Sequence, residues 1–181
     1  RDVAGTLGVD VVAHEGDGVQ TRVGDVPMAS DAPRWMVEAA VLRALEPTHV
    51  LFLCVANSAR SQMAEGLARS LAPADVTISS AGSEPTKVRP QAIAALSEVG
   101  LDITGHASNG REDVEGHVDA VITLCAEEVC PVWLGHAGRL HWGLPEPAGA
   151  GETPEEEMEA FRSVRDELTR RLTVLVRGVS G

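Results

Sequence analysis

From His49 onward the sequence alternates between two kinds of segment. "HVLFLC" (49–54), "VTISSAG" (76–82) and "VDAVITLC" (118–125) are short runs of apolar or small residues with little polar alternation. "SQMAEGLARSLA" (61–72) and "RPQAIAALSEVG" (89–100) lie between them and carry helical spacing. A strand with no polar face is covered on both sides. That pattern, in β-α-β-α order, defines a parallel sheet with helices on both faces. "RLHW" (139–142) reads as a short fourth strand. "TPEE" then starts a long last helix, with Thr153 as cap, Pro154 in the first turn and Glu156 reaching back. Its apolar stripe is Met158, Phe161, Val164, Leu168, Leu172 and Leu175. A chain of 181 residues, 44% of them hydrophobic, has material for one such domain and an appendage. The expected division is 1–48 as an N-terminal extension and 49–181 as the α/β domain.

The first 48 residues read differently. "LGVDVVAHEGDGVQTRVGDVP" has short alternations broken by Gly and Asp, the pattern of a hairpin. "APRWMVEAAVLRALEP" reads as a helix of about three turns, between Pro33 and Pro47. Trp35, Ala39, Leu42 and Leu45 are placed on one face. No chemistry is read from this region.

The first strand of the domain ends in "CVANSARS". Ligands of open α/β sheets bind at the carboxyl ends of strands, and Cys54 occupies such an end. Residues Val55, Ala56, Asn57, Ser58 and Ala59 make a short loop to Arg60 and Ser61. Backbone N–H groups of such a loop, with the helix dipole behind them, form a cradle for an anion. The same positive field suits a nucleophilic sulfur. Arg60 can fork onto two oxygens of a tetrahedral oxyanion. Asn57 tolerates positive φ in a tight loop, and the Ser61 hydroxyl can donate to the sulfur. The thiol is thereby aimed at what the loop holds.

The chain has a net charge of −12, which argues against nucleic acid or an anionic membrane as partner. No apolar stretch approaches the ~18–20 residues of a membrane span, and no signal peptide is visible. Cys54, Cys125 and Cys130 are an odd set, unlike a disulfide framework, and fit a reducing, cytoplasmic setting. Cys125 lies at the end of the third strand, within range of the loop, and the intervening "AEEV" reads as mobile. A zinc reading of Cys125, Cys130, His136 and His141 has only five residues between its pairs, against ~12 in finger-type sites.

"CVANSARSQMAEG", "SAGSEPTKVRPQAIAALSEVGLDITGH", "VDAVITLCAEEVCPVWLG" and "HWGLPEPAG" occur in this order. Together they resemble the low-molecular-weight protein tyrosine phosphatase superfamily, and within it the arsenate reductases built on that fold. The resemblance covers residues 49–178. It implies a three-layer sandwich with a central four-stranded parallel sheet and helices on both faces, no tightly bound cofactor, and an arsenate- or phosphate-like oxyanion as substrate.

The resemblance also implies a thiol relay. Cys54 forms the covalent arsenate adduct, Cys125 resolves it, and Cys130 draws the disulfide outward to Cys125–Cys130. Thioredoxin, or a low-molecular-weight thiol, then reduces that disulfide. Relatives carry Asp-Pro in the late loop as general acid. Here "LPEPAG" puts Glu146 in that place, one methylene longer. In some relatives residues matching Asn57, Glu65 and Ser80 bind potassium. The alternative to the reductase is a phosphatase, against which stand the cysteine pair and a composition of 3% aromatics with no tyrosine. A metalloid-binding protein without turnover would leave the anion loop without a purpose.

Overall fold

All six residues of "HVLFLC" are buried, as a strand with no polar face requires. The computed structural model describes residues 33–126 and 130–177, together with strand segments 11–13, 19–23 and 26–27. Most of the "AEEV" stretch read as mobile, residues 127–129, lies outside the described residues. The elements are β1 (Val11–Ala13), β2 (Val19–Val23), β3 (Val26–Pro27), α1 (Arg34–Ala44), β4 (His49–Cys54), α2 (Arg60–Leu71), β5 (Thr77–Gly82) and α3 (Pro90–Ser97). A 3-10 turn (Arg111–Asp113), β6 (Ala120–Thr123), β7 (Gly138–His141) and α4 (Pro154–Arg177) follow.

Strands β4 to β7 form one parallel sheet in the order β5-β4-β6-β7. "RLHW" is thus realised as β7. β1 to β3 pair antiparallel with one another. Cys54 lies opposite Gly82 of β5, and Leu53 opposite Thr123 of β6. The carboxyl ends of the three strands therefore share one edge of the sheet.

Both faces of the sheet are covered. On one, Val50, Phe52, Ile78 and Ile122 join Met63 and Leu67 of α2, Leu96 of α3, and Phe161, Leu168 and Leu172 of α4. Each such buried side chain contributes about 1.5–3 kcal/mol relative to exposure. On the other, Leu51, Leu53 and Val121 lie under Val114, Trp133 and Ala137. Ala39 and Leu42 of α1 belong to the first cluster, so this helix joins the core of the sheet. Leu45, expected on the same face, is the cap residue after the helix and is 44% exposed.

Helix ends follow their sequence signals. Thr153 Oγ1 accepts from the Glu156 N–H, and the Glu156 carboxylate accepts from the Thr153 N–H, each at 3.2 Å. That is the capping box expected at "TPEE". After α3 the chain turns at Gly100, with φ of 81°, a left-handed conformation that glycine adopts without strain. Glu98 clamps α3 to α4 through Arg162 and Arg165. Their hydrogen bonds hold its carboxyl at about 2, well below the usual carboxylate range.

Candidate active site

Cys54 is 3% exposed at the end of β4. Its Sγ lies 2.7 Å from Ser61 Oγ and accepts the Asn57 N–H at 3.2 Å. The loop has a simple cause for its shape. The Val55, Ala56 and Ser58 carbonyls accept from the backbone N–H groups of Glu84, Thr86 and Arg89 at 2.8–3.0 Å. The Asn57 carbonyl accepts from Ser108 Oγ and Gln62 Nε2. With the Ala56 carbonyl turned outward, the planar trans peptide aims the Asn57 N–H the other way, onto the sulfur. Gly82 makes the fit possible, since a Cβ there would overlap the Val55 carbonyl.

Asn57 has φ of 46° and is fully buried. Its Oδ1 accepts from the Asn109 N–H at 2.7 Å and Gln62 Nε2 at 2.9 Å. Its Nδ2 donates to Ser61 Oγ and Ser80 Oγ at 2.8 and 2.9 Å. Gln62, Ser108, Asn109 and His106 are supporting residues that the sequence reading missed. Gln62 reads as an ordinary helix residue, and no spacing links it to residues 106–109. His106 Nδ1 is 2.9 Å from Gln62 Oε1. Burial pushes the His106 imidazole below its ordinary 6.5, with Glu65 opposing.

Arg60, the first residue of α2, is 2% exposed. Its Nη1 donates to the Leu144 carbonyl at 3.0 Å and its Nη2 to Glu146 Oε2 at 2.7 Å. The late loop thus reaches the anion loop. Glu146 is held in turn by the Ala148 N–H on Oε1, at 3.1 Å.

Cys125 comes two residues after the end of β6, beside β4, and is 1% exposed. Adjacent strands are about 4.8 Å apart, so the chain at Cys125 runs beside the start of the anion loop. Cys125 and Cys130 are joined as a disulfide with Cα atoms 5.5 Å apart, and Cys54 is a free thiol. Cys130 is half-buried.

Asn57, Glu65 and Ser80 also meet. Ser80 Oγ donates to Glu65 Oε2 at 2.6 Å, and Arg69 pairs with Glu65 Oε1 at 2.6 Å. Asn57 turns its NH2, a donor, toward Ser80. A potassium ion needs oxygens turned inward. Here a guanidinium already supplies the cation, and this arrangement does not fit the ion.

A buried thiol at a strand end, a loop whose Asn57 N–H turns onto the sulfur and an arginine at the next helix start define a class: α/β proteins built on a strand–cysteine–loop–arginine–helix unit. The chain belongs to the low molecular weight phosphotyrosine protein phosphatase family, whose sequence profile matches residues 49–180. Similar to it is an arsenate reductase of Bacillus subtilis (strain 168), 41% identical over 131 residues, covering 71% of this chain and 94% of the relative. The crystal structure of arsenate reductase from Archaeoglobus fulgidus is 31% identical with a TM-score of 0.61, over 71% of this chain and 98% of that one. A structure of an arsenate reductase in its oxidized state is 35% identical with a TM-score of 0.62, over 74% and 99%. Among the described residues, no helix is long and apolar enough to cross a membrane.

Proposed function

We propose that this protein reduces arsenate to arsenite. The observation that carries the reading is the free Cys54 at the start of the loop, with Cys125, just past the neighbouring strand's end, paired to Cys130. The sequence likeness to arsenate reductases at about 40% identity supports the substrate.

The loop amides of 55–60 and the Arg60 guanidinium hold the oxyanion, and Cys54 attacks its central atom. Glu146 protonates the departing oxygen. Cys125 then attacks Cys54. The sulfur–arsenic electron pair stays on arsenic, arsenite leaves, and a Cys54–Cys125 disulfide remains. Cys130 attacks Cys125, which frees Cys54 and leaves Cys125–Cys130. Two thiols are oxidised and one arsenic atom gains two electrons, so the step balances. The pairing of Cys125 with Cys130, beside a free Cys54, is the state this sequence of exchanges ends in. Thioredoxin restores the two thiols by exchange at the half-buried Cys130, and a low-molecular-weight thiol is the other candidate donor. Such a donor sets the reaction in the cytoplasm. Residues 1–48 extend a catalytic unit of residues 49–181.

The test is mass spectrometry of the reduced protein after arsenate, with no other reductant. A Cys125–Cys130 disulfide in the wild type, and a Cys54–Cys125 disulfide in Cys130→Ser, are expected. Full turnover by Cys125→Ser would remove the relay. Aryl phosphate hydrolysis faster than arsenate reduction would favour the phosphatase instead.

A further inference from the structure

A single side-chain amide stands between Cys54 and a buried carboxylate. Asn57 Oδ1 accepts from the Asn109 N–H at 2.7 Å, and a backbone N–H only donates. That contact fixes which way the amide lies, so its NH2 faces the other way. Nδ2 donates to Ser61 Oγ at 2.8 Å and to Ser80 Oγ at 2.9 Å. Ser80 passes its own proton to Glu65 Oε2 at 2.6 Å. Ser61 Oγ lies 2.7 Å from the Cys54 sulfur. A thiolate sulfur only accepts, so in that state the Ser61 hydroxyl donates to it. The chain from Glu65 to Cys54 therefore has one direction throughout.

The Glu65 side chain is 7% exposed, and a buried carboxylate without a positive partner is costly. Arg69, one turn on in α2, supplies the partner. Its Nη2 lies 2.6 Å from Glu65 Oε1 and donates to the Ile78 carbonyl of β5, the outer strand of the sheet, at 3.2 Å. An exposed pair at this helical spacing is worth little. Here the burial of Glu65 makes the charge matter. The other titratable group facing Glu65 is His106, whose Nδ1 is 3.7 Å from Oε2. Burial holds its imidazole below 6.5, so at neutral pH it adds no charge. One carboxylate and one guanidinium leave the cluster neutral. A potassium ion would meet the Asn57 NH2, a donor, and bring a charge with no counterpart.

We propose that Arg69 is a tethered cation that takes the place of the potassium ion, holding Glu65, Ser80 and Asn57 in the orientation that turns Ser61 onto the Cys54 sulfur. Arg69 is a positioning residue: it acts through Glu65 and touches neither the thiol nor the oxyanion. The loop then works equally well in any monovalent salt. Since Nη2 alone makes both of the contacts to Glu65 and Ile78, an ammonium at that point can serve in its stead. The inference rests on Cys54 being the nucleophile of the reaction proposed above, and it is read at the thiol and in phosphate binding, without arsenate.

The experiment measures iodoacetamide alkylation of each cysteine in the reduced full chain, resolved by peptide mass, and calorimetric phosphate binding. Both are run in potassium, sodium and choline chloride at equal ionic strength. The wild type should give one Cys54 rate and one phosphate affinity in all three salts. Arg69→Met keeps most of the stem and removes the charge. It should slow Cys54 alkylation and weaken phosphate binding by about threefold or more, with Cys125 and Cys130 at their wild-type rates. Arg69→Lys should return to within about twofold of the wild type. A wild type more than about twofold better in potassium than in sodium overturns the proposal with no variant needed. So does Arg69→Met that matches the wild type, which leaves Arg69 only a tie to the edge of β5. Arg69→Lys as impaired as Arg69→Met, or an equal change at all three cysteines, overturns it too. Should arsenate not be reduced while these results hold, the proposed activity fails and the role of Arg69 stands.

Discussion

Arg60 and Glu146 meet at 2.7 Å across 86 residues of chain. The arginine is buried, and the glutamate side chain is 43% exposed. The carboxylate thus sits on one fork of the group proposed to hold the substrate, where it competes with an oxyanion for Arg60. Glu146→Gln should have two separable effects. kcat should fall by about 100-fold or more, as the proton donor is lost. Phosphate, which binds without reacting onward, should bind more tightly once the tethered negative charge is gone. Calorimetric titration with phosphate and a steady-state arsenate assay read the two. An unchanged kcat would remove Glu146 from the chemistry.

Ser61 is fully buried and its hydroxyl is 2.7 Å from the Cys54 sulfur. A hydrogen bond to a charged group is worth about 1.5–3 kcal/mol, which is tenfold or more in rate. Ser61→Ala should therefore slow arsenate turnover and Cys54 alkylation by about tenfold or more, while the sheet keeps its stability to within about 1 kcal/mol. Alkylation at the wild-type rate would show that the hydroxyl serves only to anchor Asn57.

The local parts of this site were legible in the sequence, because they depend on neighbours in the chain. Cys54, the left-handed Asn57, Ser61 and the Thr153 capping box each lie within a few residues of their partners. What the sequence hid is long-range. Gln62 and His106 meet across 44 residues, and nothing in "SQMAEG" marks one polar helix residue as buried. Glu65 has the look of a solvated or cation-binding residue, yet it is 5% exposed and paired with Arg69. The segment before His49 gave no sign that Ala39 and Leu42 would enter the sheet's core, since its short apolar face fits an appended helix equally well.

Asn57 concentrates much of the loop's support in one residue. Alanine there would keep the left-handed strain, about 1–2 kcal/mol for a residue with a Cβ, and would take away the acceptor of the Asn109 N–H and the Nδ2 donor of Ser61 and Ser80. Asn57→Ala should cost about 3 kcal/mol in urea unfolding. Asn57→Gly loses the same bonds without the strain, so it should be about 1 kcal/mol less costly. Equal losses in the two variants would show that the positive φ carries no strain here.

His106 gives the loop a pH dependence whose sign can be worked out. Burial holds the folded imidazole below 6.5, while the unfolded chain takes up its proton at about that value. Between the two, the unfolded state binds more protons, so stability is lost as pH falls through this window. Protonation also places a cation beside Gln62, whose other end holds Asn57. Urea midpoints measured from about pH 8 down to about pH 5 should fall below about pH 6.5 in the wild type. In His106→Gln the part of that fall due to this residue should be absent. Parallel curves for the two proteins would assign the acid sensitivity to other groups.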